Sequence, residues 1–211
     1  MTSVNTQTVQ TDQPQHAETA DVTSRQEPIR QRYREAPDEA WVVDYASTVG
    51  GTGLDAFHGR LDLGRSTGGP AGAMVDGYVA PETGEYNMEL PVGIHRAIGG
   101  DHDVPNPGNL LSAALATCLD TTIRMIADRM GIALESLRVK VASHVDVRGT
   151  LRVEEDVPVG FRKMECHVRL RAADGTDAGS IRKLLRAAEY SSVNLRTLQA
   201  GVPVELHYDI G

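Results

Sequence analysis

Apolar residues recur along this chain at two spacings, and the spacings sort it into helices and strands. From Asn106 to Gly131 the sequence reads NPGNLLSAALATCLDTTIRMIADRMG. Leu111, Leu115, Cys118, Thr122 and Met125 follow one another at intervals of three and four, which is one stripe of a helix. Leu110, Ala114, Leu119, Ile123 and Ile126 widen that stripe and predict a central helix, apolar over most of its circumference. Asn106 suits the N-cap, Pro107 the first helical position and Gly131 the C-cap. A second helix is predicted from Ala178 to Tyr190, with Ile181, Leu184, Leu185 and Ala188 on one face.

Elsewhere the period is two. Trp41, Val43 and Tyr45 alternate with Val42 and Asp44, and Phe57 to Leu63 reads as a short strand. A hairpin is predicted over Gly77 to Val92, turning at Glu82, Thr83 and Gly84; a loop then leads to the central helix. Val139 to Gly149 places Val139, Val141, Val145 and Val147 on one face, and the segment LRVEEDVPVG supplies a short strand and a turn. Phe161 to Ala172 places Met164, Cys166, Val168 and Leu170 on one face against Lys163, Glu165, His167 and Arg169 on the other. The chain closes with Val202, Val204, Leu206, Tyr208 and Ile210 alternating as a half-buried strand. Strands, central helix, strands, helix, strand is an α+β order with mainly antiparallel sheets around a long central helix.

Composition divides the chain in two. Residues 1–36 are rich in Gln, Thr, Ser, Asp, Glu and Arg and offer little to bury, so a disordered tail is expected there and one folded domain over 37–211. The net charge of -8 argues against nucleic acid or an anionic membrane as the main partner. No apolar run reads as long enough to span a bilayer, and the N-terminus lacks a basic-then-apolar export pattern. With two cysteines and no such signal, a reducing cytoplasm is the expected compartment.

Cys118 is the main candidate for chemistry. A thiol on a buried helix is by itself a small apolar residue, and Cys118 sits about three turns in, beyond the reach of its own helix's N-terminal dipole. Reactivity would require a cation brought by the fold. Cys166, on the apolar side of its strand, reads as structural; a Cys118–Cys166 disulfide needs geometry the sequence does not supply. The seven histidines include GDHDV (Gly100 to Val104), but no HExxH, CxxC or His-x-His spacing accompanies them, so no metal is expected. The glycines at 50–53 and 64–77 end in no GK[ST] and open no strand-GxGxxG-helix unit, and no GxSxG elbow is present; no cofactor is expected.

The string NPGNLLSAALATCLDTT resembles the helix of the OsmC/Ohr-like hydroperoxide-resistance family. The shared positions are Asn106, Pro107, Leu110, Leu111, Ala113, Ala114, Ala116, Cys118 and Thr122. The likeness continues through AAEYSSVNLRTLQAGVPVELHYDI and spans roughly residues 40 to 211. It implies an intertwined homodimer, in which a first cysteine attacks a peroxide, a second resolves it, and an Arg held by a Glu tunes the first thiol. It makes Cys118 the reactive position. Two departures stand out: the resolving cysteine falls at Ser191, and the acid after Asn-Pro falls at Gly108. Arg96 is the first choice for the thiolate-stabilising cation, with Arg65 and Arg60 as rivals, and Asp101 or Asp103 as substitutes for the missing acid.

The resemblance therefore implies an antioxidant protein of the oxidative stress response: a one-cysteine peroxidase reducing organic hydroperoxides through Cys118, with an external thiol resolving it. A non-catalytic member of the fold binding a small hydrophobic ligand, and a Cys118-dependent hydrolase, are the alternatives.

Overall fold

The computed structural model describes residues 21–40, 46–48, 56–64 and 87–208. The first element is a helix, α1 (Val22–Glu35). Asp21 caps it by accepting from the Ser24 N–H. It buries no residue. It is fixed instead at one end: the Val22 N–H donates to the Asp128 carboxylate at 2.8 Å, and Arg129 donates to the Gln26 side-chain oxygen at 3.3 Å. This corrects the expected disorder of residues 1–36 for 22–35, while 1–20 lie outside the described residues. The reading weighed only what the segment could bury. A helix of Arg, Gln and Glu has adequate propensity, and here it has a cap and polar anchors.

Three strands follow: β1 (Ala46–Thr48), β2 (His58–Gly64) and β3 (Asn87–Gly93). They form an antiparallel sheet in the order β1-β2-β3, with Leu61 opposite both Thr48 and Leu90. β2 matches the strand expected at Phe57 to Leu63. The strand expected at 41–45 and the turn at 82–84 lie outside the described residues. The expected loop after β3 holds a short 3-10 turn at Arg96–Ile98.

The central helix is α2 (Pro107–Arg129). Its start is doubly capped. The Asn109 N–H donates to Asn106 Oδ1, and the Asn106 N–H donates to Asn109 Oδ1, both at 3.1 Å. Its end passes through Met130 to Gly131, whose φ of 66° is the left-handed conformation that glycine adopts cheaply. The buried line is Leu115, Leu119, Thr122, Ile123 and Ala127. It is rotated from the expected stripe, and Leu111 and Met125 at the two ends of that stripe are exposed. By length and composition α2 is a helix that could cross a membrane, contrary to the sequence reading. In this fold it packs against β4 (Leu134–Val145), α4 (Ala178–Ser191) and α5 (Val193–Ala200).

β4 pairs antiparallel with β5 (Phe161–Ala172) as a separate two-stranded sheet, with Val139 opposite Val168 and Val141 opposite Cys166. Between them Val147 does not extend β4. It opens a single helical turn, α3 (Val147–Thr150), capped by Asp146. Residues 151–160 contain no strand. The Asp146 side chain accepting from the Arg148 N–H offers the backbone a turn, and that local bond outweighs the period-two pattern.

The core joins α2 to α4: Ile123, Ala127, Ile132, Leu184 and Ala188 are buried together, with Leu137, Val139 and Leu170 from the sheet against them. Leu184 and Ala188 belong to the face read from the sequence. The sequence pattern does not predict α5. Gly201, at φ 71°, ends it, and residues 201–208 then run as an irregular, exposed segment where a strand was expected.

Candidate functional site

Cys118 lies midway along α2, half-buried, on the side facing the junction of α4 and α5. Four groups meet its sulfur or its backbone, one of them the Thr121 hydroxyl, which donates to the Cys118 carbonyl at 3.2 Å. The Ser192 hydroxyl is 3.3 Å from Sγ, and the Asn194 N–H donates to Sγ at 3.5 Å. Thr122, one turn further on, donates its hydroxyl to the Cys118 carbonyl at 2.7 Å. The Asn194 side-chain amide donates to the Ala114 carbonyl at 2.9 Å, which ties the start of α5 to the turn of α2 before Cys118.

Ser192 is 0% exposed, whereas Ser191 is exposed. The structure therefore replaces Ser191 by Ser192 as the hydroxyl that faces Cys118. Helical geometry explains the shift. Leu184, Ala188 and Ser192 are spaced by four and share the face that α4 turns toward α2, while Ser191 is rotated about 100° off it. Continuing the Leu184–Ala188 stripe by one more step would have found Ser192 in the sequence.

The other candidates are spread out. Arg96 sits in the 3-10 turn before α2, exposed, and its guanidinium donates to the Asp101 carbonyl at 3.4 Å. Among the described residues no hydrogen bond or ion pair joins it to Cys118. That turn borders the first turns of α2, and Cys118 lies about 16 Å further along the helix axis from Pro107, at 1.5 Å per residue. Arg60 is paired with Glu89 across β2 and β3, and Arg65 lies outside the described residues. Asp103 accepts from His58 at 3.2 Å, and this bond holds its carboxyl below the ordinary value. Asp101 is 4.0 Å from the same His58 ring nitrogen. Neither acid orients Arg96 through its carboxylate.

Cys166 is free and exposed, on β5 opposite Val141. Partial burial of its sulfur pushes the thiol above its ordinary value, which opposes thiolate formation there. No disulfide joins it to Cys118. Among the described residues no cluster of three or more His, Cys, Asp or Glu side chains is arranged to hold a metal ion.

A cavity of about 580 Å³ opens at the start of α2, beneath the Cys118 level. Its apolar walls are Ile94, Ile98, Val141, Val145 and Phe161, and its polar positions include Asn109, Ser112 and Ser143. Ser112 and Ser143 are 2.7 Å apart and hydrogen bonded to each other. Gly108 lies on its rim. A Cβ at that position would come 3.1 Å from the Phe161 ring and 3.1 Å from Asn106 Oδ1, so Phe161 stands where a side chain would project.

A family model described as OsmC-like protein matches residues 100–207. Three solved structures share the fold. One is an OsmC-like protein from Mycoplasma pneumoniae, at TM-score 0.50 and 12% identity over 76% of this chain and 89% of that one. Another is an OsmC-like protein of unknown function from Vibrio cholerae O1 biovar eltor, at TM-score 0.53 and 9% identity over 74% and 94%. The third is an organic hydroperoxide resistance protein from Elizabethkingia anophelis, at TM-score 0.50 and 16% identity over 77% and 92%. At these identities the likeness is one of fold. No curated protein matches the chain by sequence.

Proposed function

The chain belongs to the OsmC-like protein family, and from that premise we propose that it is a one-cysteine peroxidase that reduces organic hydroperoxides through Cys118. The observation that carries the reading is the position of Cys118. It lies half-buried on the central helix, with a buried hydroxyl and a backbone N–H directed at its sulfur. Both are donors suited to an anionic sulfur.

The thiolate attacks the peroxide oxygen, the O–O bond breaks, and the alkoxide leaves with a proton as the alcohol. Sulfur is oxidised to the sulfenate, which takes a proton from solvent to become sulfenic acid. Ser192 cannot resolve it as a disulfide. A low-molecular-weight thiol does so from outside, as befits a cytoplasmic protein. The protein works as a homodimer. Val202, Val204, Leu206 and Tyr208 are 58–79% exposed, an apolar row that a second copy would cover. Arg96 makes no bond to Cys118 within one chain, so a thiolate-stabilising role for it would require the sulfur of a second copy.

Replacing Cys118 by Ser tests the reading. Wild type should consume cumene hydroperoxide with a thiol reductant, and the variant should show only the uncatalysed rate. Equal rates would sink the proposal. A second reading draws on the cavity at the start of α2, whose size and apolar walls suit a small hydrophobic ligand. Native mass spectrometry of the purified protein checks it: a bound ligand lost in Val141→Trp supports it, and an empty protein counts against it.

A further inference from the structure

We infer that the Ser192 hydroxyl and the Asn194 N–H receive the oxygen that Cys118 takes from a hydroperoxide, which makes Ser192 a positioning residue of the one-thiol cycle. The inference rests on the peroxidase reading and adds to it a means of holding the intermediate without a second thiol.

Ser192 is the N-cap of α5. An N-cap serine ordinarily turns its hydroxyl onto the N–H of the second or third residue of its own helix. Ser192 makes no such bond. Its hydroxyl faces Cys118 Sγ at 3.3 Å. The N–H of Asn194, the second residue of α5, is directed at the same sulfur at 3.5 Å. The sulfur of α2 thus stands where the capping oxygen of α5 would stand. Ser192 is 0% exposed, so its hydroxyl has no bulk water to turn to. Asn194 is held in place by its side-chain bond to the Ala114 carbonyl.

This arrangement suits an oxidised sulfur. When Cys118 thiolate takes an oxygen, S–O forms, O–O breaks, the peroxide is reduced to alcohol, and the sulfenate keeps the negative charge. Both donors reach a sulfenate oxygen carried on Sγ. Hydrogen bonds to that anion stabilise it and draw electron density from the sulfur. Further oxidation requires the sulfenate itself to attack a second hydroperoxide, giving sulfinate and a second alcohol. Donors on the oxygen slow that attack. An external thiol then attacks the protonated sulfenic acid, releasing water and leaving a mixed disulfide. A second thiol restores Cys118 and leaves as the small-molecule disulfide.

The test uses the full chain as wild type, Ser192→Ala and, as a neighbour control, the exposed Ser191→Ala. Reduced protein is treated with cumene hydroperoxide; sulfenic acid is trapped with a 1,3-dione, and sulfinic acid is read by intact mass. Alkylation of reduced Cys118 by iodoacetamide reports whether the pocket has merely loosened. Ser192→Ala should over-oxidise to sulfinic acid about tenfold faster, the equivalent of one lost hydrogen bond to a charged group. Its alkylation rate should not rise, because the same substitution removes a donor to the thiolate, and Ser191→Ala should match wild type throughout. Over-oxidation at the wild-type rate, or over-oxidation and alkylation rising together, overturns the inference and leaves the peroxidase reading intact. A wild type that forms no sulfenic acid overturns both. Ser192→Cys supplies an independent check. Peroxide should join it to Cys118 in an intramolecular disulfide, and failure to do so would show that residue 192 does not face the sulfur in solution.

Discussion

α4 and the segment 201–208 present the same kind of signal and meet different fates. α4 turns Leu184 and Ala188 inward, at 0% and 1% exposure, against α2 and the β4–β5 sheet. The closing segment alternates as regularly, yet Val204, Leu206 and Tyr208 are 79%, 72% and 79% exposed. An amphipathic pattern states which side seeks cover. It does not state whether the cover lies in the same chain. For α4 it does. For residues 201–208 no described element supplies it, and that is the ground for assigning them to the proposed dimer interface.

Three variants test this contrast. The largest effect is expected for Leu184→Ala, which removes a fully buried side chain from the cluster in which α2 and α4 meet the sheet. It should cost about 2–5 kcal/mol of stability by denaturant unfolding. A loss below about 1 kcal/mol would mean that the α2–α4 contact collapses around the cavity, and that the two regions differ less than their exposure implies. Next comes Val204→Asp combined with Leu206→Asp. The helices and β4–β5 should remain by circular dichroism, while self-association weakens by about 10- to 100-fold in analytical ultracentrifugation, the loss of one or two buried aliphatic contacts. An unchanged sedimentation profile would remove the segment from the interface.

The smallest effect concerns the start of α4. The Ser180 hydroxyl, and behind it the N–H groups of Ser180 and Gly179, hold the Asp177 carboxyl below its ordinary value of 3.8. A folded-state value lowered in this way stabilises the protein above the unfolded value, and the contribution is lost as pH falls through the folded one. The gap in Tm between wild type and Asp177→Ala should therefore be fully open at pH 7 and narrow below pH 3.8. A gap that is constant over that range would assign the effect to helix propensity alone.

The sequence was most legible where local chemistry and burial agree. The Asn106-Pro107 start of α2, the face of α4 and the limits of β5 at Phe161 and Ala172 were all readable, because each is fixed by a cap or by one strict period. It was least legible where a polar bond decides. α1 has nothing to bury and is held by Asp128 and Gln26, and Val147 leaves the sheet because Asp146 caps a turn. For the candidate site, the sequence singles out Cys118, and the structure sets the Ser192 hydroxyl beside it where the family likeness points to Ser191. A likeness between short strings carries no helical phase, whereas the Leu184–Ala188 spacing does. The distance between Arg96 and Cys118 depends on how one loop seats on α2, and nothing in either local sequence encodes that.

Phe161 lies against the space above Gly108, close enough that a Cβ at 108 would press on its ring. The two positions are therefore not independent under mutation. Placing a glutamate at 108 in the present background should be harmful, and the same change after Phe161 has shrunk should be tolerated. This is epistasis between residues 53 positions apart. It also means that an acid at 108 is accommodated by at least two changes, with the one at 161 made first.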